Sequence, residues 1–241
     1  MVLESNPIEG MVSPDIKLGN RNALADRFLT GNGIEIGAAS CPLSMPASAK
    51  TTYVDIMDEH LMREKFSYLG PNDFIQPVDV IDDGEKLTSF ADASLDYIVA
   101  NHFMEHCENP IGTIDAHMNK LKPGGVAYYA LPDKRYTFDK ERPLTTLEHF
   151  IADFKEGPSG RNLEHYREWG RYVANIAEDD IESFARQQDA SGVNIHFHVW
   201  DARSFVPYLS VAQDLCKQRW NVEEFLPENE NEFIVILRRA L

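Results

Sequence analysis

Short apolar runs recur five times before residue 134, with helical segments fitting between several of them, and this alternation limits the fold more than any single motif. GIEIG (33–37), TTYVDI (51–56), DFIQPVDV (73–80), SLDYIVANH (94–102) and GGVAYYALPD (124–133) read as strands. Pro77 weakens the middle of the third. Segments 57–68, parts of 84–91, and 109–121 suit helices between them. Strands alternating with helices favour a parallel sheet covered on both faces. A helix over 20–28 precedes the first strand. Residues 1–18, broken by Pro7, Gly10 and Pro14, read as an N-terminal arm or lid.

The rhythm changes after the fifth strand. Residues 134–195 contain no convincing strand and two helical runs, 145–156 and 162–188, separated by GPSG. They read as a helical cap inserted in one domain spanning 19–241. A helix near 201–218 follows. WNVEEFL and EFIVILRRA, joined by the polar turn PENEN, are close enough to pair antiparallel.

Charge bears on the partners. The chain carries 39 acidic against 23 basic residues, a formal charge of −16, which repels nucleic acid and anionic membranes. The expected partner is therefore a small molecule, with no nucleic acid and no membrane; a homodimer stays open. Cys41, Cys107 and Cys216 are far apart and odd in number, without disulfide or metal spacing. A cytoplasmic location is expected, since no leader pattern follows Met1.

Three acidic residues at strand ends suggest a ligand crevice. Gly37 follows the first strand, where a glycine permits a tight turn or close approach to a ligand. Glu35 is costly to bury without hydrogen bonds. Asp55 ends the second strand, twenty residues on, and suits a ribose diol. Asp79 lies at the third strand and suits an adenine amine, with Val80 or Ile81 against the ring. Both acids also suit helix capping.

GIEIGAASCPL, YVDI, PVDV, SLDYIVANHFMEHCENP and LKPGGVAYYALPD together resemble the class I S-adenosylmethionine-dependent methyltransferases of the methyltransferase-11 type, over residues 20–133. The resemblance implies a Rossmann-like α/β fold: a seven-stranded, mostly parallel sheet of order 3-2-1-4-5-7-6, with the helical insertion after strand five. It implies S-adenosyl-L-methionine as cofactor, held by Glu35, Gly37, Ala38, Asp55, Ile56, Asp79, Val80, Asn101 and His102. The family pattern has glycine where Ala39 and Cys41 stand here.

Candidate chemistry for the acceptor lies in the insertion. An alcohol needs a base near its hydroxyl. In NIHFHVW, if extended, His196 and His198 share a face and can serve as base and orienter. Asp133, directly after strand five, is a third catalytic candidate. Arg135, Tyr136, Arg142, His149, His165 and Trp200 are candidates for holding substrate. No third ligand is fixed by spacing around the histidine pair, so no metal is assigned. The reading is O-methylation of a small polar metabolite or saccharide. A dinucleotide-dependent oxidoreductase, or a non-catalytic scaffold keeping the fold, are the alternatives.

Overall fold

β1 (Gly31–Ile36) pairs in parallel with β2 (Ala49–Asp55) on one side and β4 (Leu95–Asn101) on the other. β3 (Val80–Ile81) adds to β2, and β5 (Leu121–Pro132) adds to β4, both in parallel. β7 (Glu232–Arg239) runs antiparallel between β5 and β6 (Trp220–Asn229). The seven-stranded order is thus β3-β2-β1-β4-β5-β7-β6, as the sequence leads one to expect. The computed structural model describes residues 14–65, 70, 72–158 and 160–241.

Side chains alternate across the central strands, so β4 and β5 feed two cores. Ile98, Ala100, Ala127 and Tyr129 pack on one face with Ile34, Ile36 and the buried sides of α3 (Pro110–Lys120) and α7 (Ala202–Leu215). Tyr97, Val99, Val126 and Tyr128 pack on the other with Ala25 and Leu29, from α1 (Pro14–Phe28) and the turn after it. Asn109 caps α3 by accepting the Gly112 amide, and Pro110 occupies its first turn, where no amide partner is needed. Asp201 and Ser204 form a reciprocal capping box on α7.

Helices α4 (Leu147–Glu156), α5 (Asn162–Tyr172) and α6 (Ile181–Ser191) follow β5, so the expected insertion is helical. α2 (Glu59–Lys65) lies between β2 and β3. Several boundaries differ from the sequence expectation. The third strand is two residues long rather than spanning 73–80; Pro77 has no amide for a ladder, and Gln76 bonds instead to the Ala39 carbonyl. Residues 84–91 form turns rather than a helix, with Leu87 at φ +50° and the Asp82 carboxylate accepting the Ser89 amide and Thr88 hydroxyl. The run 162–188 is broken between Tyr172 and Ile181. Of the expected arm, residues 1–13 lie outside the described residues, and 14–18 open α1.

Candidate functional site

Strand register decides which side chains meet. Ile36 pairs with Val54 and Ala100, Asp55 with Ile81, and Asn101 with Ala130. Gly37, Asp55, Ile81 and Asn101 are thereby aligned along the carboxyl edge of the sheet, where open α/β folds take ligands.

The loop after β1 is built around Glu35. Its carboxylate is buried and accepts the Leu43 amide at 2.9 and 3.2 Å, which draws residues 37–43 back over the strand end. Burial pushes this carboxyl up to about 7. Glu35 therefore shapes the loop from beneath. Gly37 is exposed at φ +66°, and no atom lies within 4 Å of where a Cβ would stand. Ala38 closes the turn by accepting the Cys41 amide. Ala39 takes φ +43°, the left-handed conformation that a glycine would hold without strain.

Beside the loop, Asp55 accepts the Ile56 amide, and burial raises its carboxyl above the ordinary value. Ile56 and Ile81 are more than half exposed, as is Phe74, leaving apolar surface beside a carboxylate. Val80 is partly buried and packs on the core. Asp79 is placed otherwise than expected. It precedes β3, and its carboxylate accepts the Tyr53 amide in mid-strand. The acids at the carboxyl end of β3 are Asp82 and Asp83.

The end of β4 carries the most unusual polarity. Both side-chain polar atoms of Asn101 and both carboxylate oxygens of Glu105 are buried without a hydrogen-bond partner among the described residues. Around them runs an alternating line of acids and bases. Glu232, at the start of β7, accepts from Arg21 and from Asn229, and its Oε2 lies 2.8 Å from His102 Nε2. Those partners hold the Glu232 carboxyl well below the usual range. His102, at φ +50°, presents Nδ1 3.6 Å from Glu105 Oε1. On the far side of Glu105, His196 Nε2 lies at 3.9 Å, while His196 Nδ1 meets Asp139 Oδ2 at 2.6 Å. Asp139 is buried and also bound by Arg142 at 2.8 Å. His196 is thus held from behind by a carboxylate, with Nε2 turned toward Glu105. Exposed Phe138 packs against its ring at 4.6 Å between centroids, the two planes tilted by 38°.

With that geometry in place, the whole-chain comparison decides the family. Residues 17–206 match a family described as a methyltransferase domain. This chain belongs to that family. No curated protein sequence matches the methyltransferase significantly. Solved structures match at low identity. A Rhodobacter sphaeroides protein provisionally named as a Zn-dependent alcohol dehydrogenase shares 13% identity at TM-score 0.52, over 90% of this chain and 87% of that one. A SAM-dependent methyltransferase from Aquifex aeolicus shares 12% at TM-score 0.49, over 95% and 94%. The CurJ carbon methyltransferase shares 14% at TM-score 0.45, over 88% of this chain but 49% of that chain, so the methyltransferase spans about half its length. The sheet order together with the family match gives a class I S-adenosylmethionine-dependent methyltransferase fold.

The remaining candidates separate into different places. His196 and His198 do not form a base–orienter pair. His196 faces Asp139, whereas His198 is fully buried against Asp153, with its Nδ1 on the Cys107 carbonyl. The orienting group is Asp139, which hydrophobic patterning could not single out among nearby acids. Asp133 is fully buried, and its oxygens are engaged by the Arg135 side chain and amide and by the Ala202 amide. It joins β5 to α7 and is not open to an acceptor. Arg142 is fully buried and spans Asp139, Glu168 and the His196 carbonyl, so it braces the insertion rather than facing substrate. Trp200 is buried among Phe150, Phe205 and Tyr208. His149 and His165 sit with His198. Arg135 and Tyr136 are exposed and stacked on one another, ahead of Phe138. Among the described residues, no helix is long and apolar enough to cross a membrane.

Proposed function

We propose that the methyltransferase binds S-adenosylmethionine along the carboxyl ends of β1, β2 and β4. It then methylates an oxygen of a small polar metabolite or saccharide beneath the cap formed by residues 134–195. The observation that carries this reading is the group of unpartnered polar atoms on Asn101 and Glu105, at the strand end beside Gly37. Buried polar groups cost free energy unless something pairs with them, and a polar ligand supplies that pairing.

The residues suit the donor. Gly37 leaves backbone open at a strand end, Asp55 offers a carboxylate to a ribose diol, and Ile56 and Ile81 offer apolar surface to a purine. Asn101 and His102 flank the position expected for the methionine half. The finer likeness to the methyltransferase-11 type rests on NHFMEH and its place after β4.

His196 is the proposed base. Its Nδ1–H donates to Asp139, which leaves the Nε2 lone pair for an acceptor hydroxyl. S-adenosylmethionine, when bound, would supply the methyl group to the acceptor oxygen, its sulfur keeping the electron pair of the broken carbon–sulfur bond. The hydroxyl proton passes to Nε2, and Asp139 stabilises the imidazolium. Tyr136, Arg135 and Phe138 rim the acceptor side.

Product mass analysis with a panel of sugars, polyols and phenols tests the reading. A gain of one methylene mass in an acceptor, with His196→Gln lowering turnover while leaving donor affinity unchanged, is expected. Full turnover in that variant would remove His196 from the chemistry.

A further inference from the structure

Three imidazoles and one carboxylate converge inside the cap, as a group separate from Glu105 and His196. His149 and Asp153 lie one turn apart on α4, His165 on α5, and His198 on the extended segment before α7. His149 Nε2 is 3.0 Å from His165 Nε2 and 3.2 Å from Asp153 Oδ2, and His198 Nε2 is 3.1 Å from the same oxygen. One ligand atom from each of the four lies within 4.8 Å of all the others. Four donors about 2.0–2.1 Å from a tetrahedral ion stand roughly 3.3 Å apart, close to the spacings found here.

The surrounding bonds are those of a ligand set. His198 Nδ1 lies 3.0 Å from the Cys107 carbonyl, an acceptor, so Nδ1 carries the proton and Nε2 carries a lone pair. That lone pair faces a carboxylate oxygen. Protonating His198 alone would satisfy this contact, but His149 and His165 also press their nitrogens together in the same space, and three adjacent imidazoles cannot all be charged. A cation at the centre satisfies every contact at once. Asp153 keeps Oδ2 toward the centre because Arg161 Nε holds Oδ1 at 2.6 Å. His198, Asp153 and His165 are buried, and His149 is mostly so, as in a closed structural site.

We propose that His149, Asp153, His165 and His198 form a structural site for a divalent transition metal, with zinc the best match to three imidazoles and one carboxylate in four-fold coordination. The ion ties α4 and α5 to the segment that carries His196 two residues away. It therefore fixes the proposed base without touching the acceptor. The site does not depend on which molecule is methylated.

The test uses the full chain, stripped by chelator and titrated with zinc alone and with cobalt alone. The wild-type chain is expected to bind one equivalent of zinc that survives dialysis, to melt at higher temperature when loaded, and to give the intense visible bands of four-coordinate cobalt. His149→Gln, at the most exposed ligand, and His165→Gln should each weaken zinc binding at least about tenfold. His196→Gln should bind zinc as wild type does. No retained zinc, a pale six-coordinate cobalt spectrum, or wild-type affinity in both ligand variants would overturn the site. Because the cobalt spectrum is read on the wild-type chain, a ligand variant that fails to fold does not remove the test.

Discussion

Replacing Glu35 with glutamine tests how the loop after β1 is made. Burial pushes the Glu35 carboxyl up from 4.5 to about 7, against the opposing pull of the Leu43 amide and Arg21. Between those values the folded chain holds a proton that the unfolded chain has lost. Stability from this group is therefore greatest at low pH and falls as pH rises, by about 1.4 kcal/mol per unit. Over about 2.5 units the loss totals about 3.4 kcal/mol, of which about 2.5 kcal/mol falls between roughly pH 5 and pH 8. Glutamine keeps an oxygen for Leu43 and cannot ionise. Urea unfolding of both proteins, followed by circular dichroism at the two pH values, isolates the effect. The stability of Glu35→Gln minus that of the parent should rise by about 2.5 kcal/mol across this range. A difference independent of pH, or one that falls, would refute the idea that Glu35 is a buried tether for the loop.

Other outcomes follow from the same geometry. Asp139→Asn removes the carboxylate that fixes the His196 tautomer, and should lower kcat by about 10²- to 10⁴-fold with donor affinity unchanged in calorimetry. Gly37→Ala meets no neighbouring atom, so its cost comes from φ +66° alone and should be about 1 kcal/mol by thermal unfolding, with weaker donor binding. Glu232→Gln strips buried Arg21 and half-buried His102 of their shared carboxylate and should cost about 3–5 kcal/mol in urea unfolding. The Glu232 carboxyl is held well below its ordinary value, so its stabilisation is present above about pH 4.5 and lost as pH falls. The variant should therefore lose less stability than the parent on acidification.

Strand content was legible from the apolar runs of β1, β4 and β5 and the helical segments between runs, whereas the sheet order came from the resemblance to the class I methyltransferases. β3 was overextended because DFIQPV alternates like a strand, while Pro77 and the Gln76–Ala39 bond take that stretch out of the ladder. The strand-end positions of Gly37, Asp55 and Asn101 were also readable from sequence, since register follows from strand ends. Side-chain partners were not. His196 and His198 share a spacing of two, yet Asp139 claims one and Asp153 the other, and both acids come from distant turns and helices. Asp133 reads as a catalytic candidate directly after strand five but is enclosed by Arg135 and the first amide of α7. The grouping of His149, Asp153, His165 and His198 was not legible because its four members are spread from residue 149 to residue 198 and meet only when α4, α5 and the extended segment pack together.

Calorimetric titration of the full chain with S-adenosylmethionine, S-adenosylhomocysteine and NAD measures the central claim directly. Binding of both sulfur ligands, none of NAD, and weakened binding of the sulfur ligands in Asp55→Ala and Asn101→Ala are predicted. Failure of the wild-type chain to bind either sulfur ligand would contradict it.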